Sequence, residues 1–160
     1  MASSIDYFLT GGASNAVPSL SLGGTHSSVA LSGTALYNLF DKVTPPEATV
    51  GDVEYRAIDI GNTGDAATAE TEIFLDPETT SASTQIDLGI EASPLGSTLS
   101  IADETTAPAG VTFAHYNSAS KLALPDIAAG AYCRVWVRRV VAAAAPNTLL
   151  DQGSFVVWAA

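Results

Sequence analysis

Apolar and polar side chains alternate along much of this chain with a period of two, the spacing of a strand that buries one face. The clearest stretch is GDVEYRAIDIGNTGDAATAETEIFLDP, Gly51 to Pro77, which reads as two extended runs joined by a Gly61-Asn62-Thr63-Gly64 turn. Val53, Tyr55 and Ala57 share one face of the first run, and Ala67, Ala69, Thr71, Ile73 and Leu75 share one face of the second. A β-ribbon with half-buried faces is expected there. In DIAAGAYCRVWVRRVV, Asp126 to Val141, a turn at Gly130 feeds a long strand of β-branched and aromatic residues. Alternation returns from Thr84 to Ala92, with Ile86, Leu88 and Ile90 on one face, and short strands are expected at Val111 to Tyr116 and Ser154 to Trp158. From Ala35 to Phe40 the text suits a short helix or strand, followed by a Pro45-Pro46 breaker and a loop to Gly51.

These runs amount to about seven or eight strands, with turn signals roughly every 8 to 15 residues and no helical period between them. The fold expected is all-β, an antiparallel β-sandwich of immunoglobulin-like or jelly-roll-like type. Tyr55, Ile73, Leu75, Ile86, Leu88, Val135, Val137 and Phe155 are the expected core, because each lies on an alternating apolar face. At 160 residues the chain is a single-domain length, and folding can bury about 70% of the surface the unfolded form exposes.

The first 33 residues read differently from the remainder. Two Gly-Gly pairs and Pro18 cut them into pieces too short for a helix, yet Tyr7, Phe8, Leu9, Val17, Leu20, Leu22, Val29 and Leu31 are too apolar for a solvated tail. The expected organisation is an extended N-terminal arm over residues 1–33, lying on the body or on a neighbouring subunit, and a sandwich body over residues 34–160. Tyr7, Phe8 and Leu9 are the arm's candidate contact residues.

Charge narrows the partners. Charged residues make up only 14% of the chain, but 17 are acidic and 6 basic, for a net charge of −11. The acidic surplus argues against a phosphate-binding surface, so no nucleic-acid partner is expected. An apolar run such as Val140 to Ala145 is six residues, against about 20 for a helix that spans a bilayer. No membrane partner is expected, and a first stretch without basic and apolar signal regions suggests folding in a cytoplasm. Three of the six basic residues, Arg134, Arg138 and Arg139, fall in one strand, where Arg134, Trp136 and Arg138 share a face. That row has two readings. It is either a solvent-facing row paired with carboxylates of a neighbouring strand, or a contact with another subunit or a capsid, since Arg and Trp are enriched among binding hot spots.

Candidate chemistry is sparse. Cys133, the single cysteine, reads as a small buried hydrophobe. His26 and His115 have no second ligand at metal-binding spacing. In Gly24-Thr25-His26-Ser27-Ser28 a hydroxyl adjoins a base, but adjacent strand residues point to opposite faces. The acids at Asp76, Glu78, Asp103 and Glu104, and the group Asp59, Asn62 and Asp65, do not follow the calcium-loop pattern. No catalytic residue, cofactor or metal is expected.

The stretches YFLTGGASNAVPSLSLGGTHSS, NLFDKVTPPEATVGDVEYRAIDIGNTG, IADETTAPAGVTF and LPDIAAGAYCRVWVRR resemble small virion structural proteins of tailed bacteriophages, some of which are head decoration or cement proteins. The similarity covers nearly the whole chain and consists of turns and strand patterns. It implies a non-enzymatic protein made in the host cytoplasm that binds the outer surface of the head lattice, contacts the major capsid protein and stabilises the shell, as a homotrimer over three-fold points. A tail or baseplate sandwich that contacts the host surface is the alternative, and exposed aromatics at loop tips, such as Tyr116 beside Asn117, would be its signature.

Overall fold

The computed structural model describes residues 2–34, 37–79, 81–146 and 152–159. Among these, strands β1 (Ile5–Thr10), β2 (His26–Ala30), β3 (Asp52–Asn62), β4 (Glu72–Glu78), β5 (Thr84–Gly89), β6 (Leu122–Ala123), β7 (Tyr132–Val141) and β8 (Gly153–Trp158) form two antiparallel sheets. One sheet has five strands in the order β2-β1-β3-β7-β5, and the other three in the order β6-β4-β8. The protein is an all-β sandwich. One six-residue helix, α1 (Pro45–Val50), precedes β3. Pro45 and Pro46 start it instead of breaking the chain, because the first helical positions need no backbone N–H. Thr44 and Glu47 close its first turn as a reciprocal capping box.

The long strands β3 and β7 pair from Asp52↔Val141 to Gly61↔Tyr132 and form the spine of the larger sheet. Alternation divides their side chains cleanly. Ile58 and Ile60 of β3, Cys133, Val135 and Val137 of β7 and Leu88 of β5 face inward, where they meet Ile73 of β4 and Leu122, Leu124 and Ile127. All of these are buried. Burial, with the nearby Asp59 and Glu91 charges, pushes the Cys133 thiol up to about 12, so it behaves as a small core hydrophobe.

Of the expected core, Ile73, Leu75, Leu88, Val135 and Val137 are buried, and Ile86 and Phe155 pack half-buried against it. Tyr55 is the exception. It faces outward with Val53 and Ala57, so the inward face of β3 is the even-numbered one. The expected ribbon is also absent, since β3 and β4 lie in different sheets. Asn62 holds the chain where it crosses over: its amide donates to Ala66 O at 2.7 Å and Ile127 O at 2.9 Å, and its carbonyl accepts from Gly64 N at 3.1 Å. With Ser4 N also donating to its carbonyl at 3.3 Å, this buried side chain bonds four backbone groups and acts as a corner, which a Gly-Asn-Thr-Gly text does not distinguish from a hairpin turn.

Within the segment expected as an arm, residues 5–10 and 26–30 are strands of the larger sheet. β1 lies between β2 and β3, with Ile5 opposite Asn62 and Phe8 opposite Asp59, so the segment completes the larger sheet. Tyr7 points inward, and its hydroxyl donates to Phe155 O of β8 at 3.2 Å, joining the two sheets. Burial pushes the phenol above its ordinary value, opposed by a backbone hydrogen bond at Val157. Tyr7→Phe is expected to cost about 0.5–1.5 kcal/mol, the net value of one hydrogen bond, seen as a lower urea midpoint at unchanged slope. An unchanged midpoint would mean that this tie contributes nothing.

The stretch expected as a helix or strand from Ala35 lies partly outside the described residues. Beyond it, Leu39 is buried and Phe40 packs on the core.

Candidate functional site

The outer face of the five-stranded sheet carries the row singled out in the sequence, and the structure divides it into a sealed half and an open half. Tyr132, Arg134, Trp136 and Arg138 of β7 stand opposite Gly61, Asp59, Ala57 and Tyr55 of β3. On the other side, Gly89 and Asp87 of β5 stand opposite Trp136 and Arg138.

Residues 21–24 and 94–101 roof the sealed half. Arg134 is fully buried and forks onto Asp59, with Nε to Oδ1 at 2.8 Å and Nη2 to Oδ2 at 3.0 Å. Its remaining donors reach Leu99 O and Gly24 O, each at 3.0 Å. The second Asp59 oxygen also meets Nδ1 of His26 at 2.9 Å. That ring stacks on Tyr132 at 4.3 Å, with Phe8 edge-on at 5.1 Å. Trp136 is 0% exposed, and small residues make room for it. Ala57 and Gly89 flank the indole, and Gly23 covers it at a left-handed φ of 83°, where an added Cβ would lie 2.8 Å from the ring and 2.1 Å from Leu99 O.

The open half lies at the other end of the strands. Arg138 binds Asp87 through Nε at 2.9 Å and Nη2 at 2.6 Å, and its guanidinium lies 5.1 Å over the Phe113 ring. Tyr55, opposite Arg138 on the neighbouring strand, also packs on Phe113, with ring centroids 5.4 Å apart in a tilted pair. Val53, 37% exposed, stands opposite Val140 and extends this apolar strip. Arg138 keeps 31% of its side chain in solvent.

Of the six expected interface residues, therefore, Arg134, Trp136 and Leu9 are sealed inside the chain. The row does pair with neighbouring carboxylates, but two of its three members face a roof instead of solvent or another copy. Tyr7 ties the sheets together, and Phe8 lies so close over Gly61 that a Cβ there would meet its ring at 2.6 Å. Tyr7, Phe8 and Arg138 are half-buried, and Arg138 keeps its guanidinium partly in solvent. Tyr55, Phe113 and Val53 join it, and the sequence offered no signal for that grouping, since Phe113 is far from the others along the chain.

A second charged cluster lies at the inner side of the same sheet. Buried Glu54 pairs with Arg139 and lies near Arg56, whose other partner is Glu104, and Phe40 covers both guanidiniums at 5.0 and 5.4 Å. Burial raises the Glu54 carboxyl above its ordinary value, and the two arginines oppose that rise. Three guanidiniums, Arg56, Arg134 and Arg139, are thus buried beside three buried carboxylates, Glu54, Asp59 and Asp87. The buried charges cancel, and the acidic surplus lies on the surface.

The other candidates resolve locally. Ser27 is buried and donates to Asn15 O at 2.8 Å, while Ser28 donates to Ala13 O at 3.1 Å, so neither hydroxyl bonds His26. Asp65 accepts from Ala2 N, and Asp103 is a turn residue whose carboxyl is held low by hydrogen bonds from Thr105 and Thr106. Tyr116 is half-buried and packs on the core, two residues before the exposed turn at Ser118 and Ala119. Among the described residues no three His, Cys, Asp or Glu side chains are grouped to hold a metal ion. No protein-family model matches the chain, and no curated protein or solved structure is detectably similar to it.

Proposed function

We propose that this chain is a bacteriophage head decoration protein that binds the outer surface of the capsid lattice, contacts the major capsid protein and reinforces the shell without catalysis. The observation that carries this reading is the open strip of Val53, Tyr55, Phe113 and Arg138, in which a guanidinium is held over an aromatic ring on a chain of net charge −11. Aromatic rings with a guanidinium held flat over one of them have the composition of a binding hot spot. The strip is pre-organised, because Asp87 fixes Arg138 and the sheet fixes Tyr55. Binding therefore freezes few rotamers. The acidic remainder disfavours contact with nucleic acid and with other particles. The resemblance to phage virion proteins supplies the lattice as the partner, with three copies over a three-fold or quasi-three-fold point.

The test is binding to purified expanded heads and a count of copies per virion. Val53→Asp and Phe113→Ser are expected to weaken binding about tenfold or more, which is about 1.4 kcal/mol, while the free protein keeps its fold. Virions are expected to carry hundreds of copies. Normal binding by both variants would remove the strip from the interface. A handful of copies per virion would favour the tail or baseplate reading.

A further inference from the structure

We propose that His115 is a protonated latch that stitches the two sheets together and opens as pH rises through its titration. Segment 113–117 runs along the seam of the sandwich. Ala114 exchanges two backbone hydrogen bonds with Leu88 of β5, at 2.9 and 3.1 Å, and Tyr116 O accepts from Leu75 N of β4 at 3.1 Å. One short segment is thus bonded to both sheets. Between those bonds the His115 ring repeats the bridge, with Nδ1 at 2.9 Å from Ile86 O of β5 and Nε2 at 2.9 Å from Glu78 Oε1 at the end of β4.

The partners dictate the protonation state. A backbone carbonyl only accepts, and an ionised carboxylate only accepts, so both ring nitrogens must donate. Neutral imidazole has a single N–H and can serve one sheet at a time. The imidazolium serves both. The charged groups that face the ring are Glu78 of β4 and Asp87 of β5, and Asp87 is itself paired with Arg138 of β7. The hydrogen bond to Ile86 O chiefly raises His115 above the ordinary histidine value, opposed by partial burial and reinforced by Glu78 and Asp87.

A group whose folded pKa is raised contributes stability that is complete below its unfolded pKa and is lost as pH rises through the folded one. The seam is therefore closed on the acid side of the histidine range and loosened on the alkaline side. Phe113, two residues from the ring, lies on the open strip, so the latch also sets how firmly that strip is held. The inference concerns the isolated chain and does not depend on the decoration reading.

NMR titration of the His115 ring, with hydrogen-exchange protection factors at Leu88, Ala114 and Leu75 over about pH 5 to 8, tests it. The His115 pKa is expected above the ordinary histidine value, with protection at the three amides falling as the ring deprotonates. The fall is up to about tenfold for each unit by which the folded pKa exceeds the unfolded one. Glu78→Gln is expected to lower the His115 pKa and shrink the step, and His115→Phe, which keeps a ring, to remove it. These local readouts separate the latch from Glu54, whose raised carboxyl also makes global stability depend on pH. A His115 pKa at or below the ordinary value, flat protection in the wild type, or a step that survives in His115→Phe would each overturn the proposal.

Discussion

Arg134→Met is expected to destabilise the protein by about 3–5 kcal/mol, the cost of leaving a buried carboxylate without its cation. Asp59 is 0% exposed, and its two oxygens are held by the Arg134 fork and by His26. Methionine approximates the aliphatic stem but supplies no donor, so one carboxylate oxygen loses its only side-chain partner and the other keeps the imidazole alone. Leu99 O and Gly24 O lose their donors as well, which loosens the roof over Trp136. The double variant Arg134→Met with Asp59→Leu is expected to recover much of the loss, since replacing both members of a buried pair removes the uncompensated charge. Urea denaturation of the two single variants and the double gives the coupling directly. A single-variant loss below about 1 kcal/mol, the scale of exposed pairs, would show that water reaches Asp59 and that the roof does not seal.

The sequence shows why this pair was half legible. Alternation alone places Arg134, Trp136 and Arg138 on one face of β7, and they do share it. What covers that face is set by Gly23, Gly24 and Leu99, which are distant in sequence and carry no periodic signal. A two-residue period identifies faces, and it is silent on which face another segment will cover. The same limit explains β3. Its odd-numbered residues look like the buried set because Val53, Tyr55 and Ala57 are apolar or aromatic, yet Ile58 and Ile60 face the core while Arg56 and Glu54 share that inward side by pairing with other buried charges. Glycine-broken text hid β1 and β2 for a related reason. β1 pairs with β3, more than 50 residues away, and β2 pairs with β1, and their own glycine-broken text carries no period-two pattern that marks them as strands. The hydrophobic strands β4, β5 and β7 were readable because their own side chains fill the core. The open strip was not, since it joins Tyr55, Phe113 and Arg138 from three separate segments.

The neighbours of a buried site also separate two substitutions that look alike in sequence. Ile73→Asp is expected to abolish folding, whereas Val137→Asp is expected to cost less and to leave a folded fraction. Both positions are 0% exposed. Ile73 of β4 stands between Leu122 and Val157, and it faces an apolar cluster. A carboxylate there has no cation to pair with and must either stay charged in a dry site or take up a proton and remain without a hydrogen bond. Losing the isoleucine adds about 2–5 kcal/mol, and burying an unpaired polar group adds several more. Together these reach the 5–15 kcal/mol that holds a typical domain folded. Val137 stands directly opposite Arg56, two residues from Arg139 on the same face, and the Nε atoms of both arginines lack partners. A carboxylate at residue 137 therefore enters a site that already holds two guanidiniums, with donors free to receive it. Amide dispersion in two-dimensional NMR spectra distinguishes the outcomes: collapsed for Ile73→Asp, and native-like with a lower urea midpoint for Val137→Asp. Equal collapse of both would mean that Arg56 and Arg139 are too firmly held by Glu54 and Glu104 to turn toward a new partner.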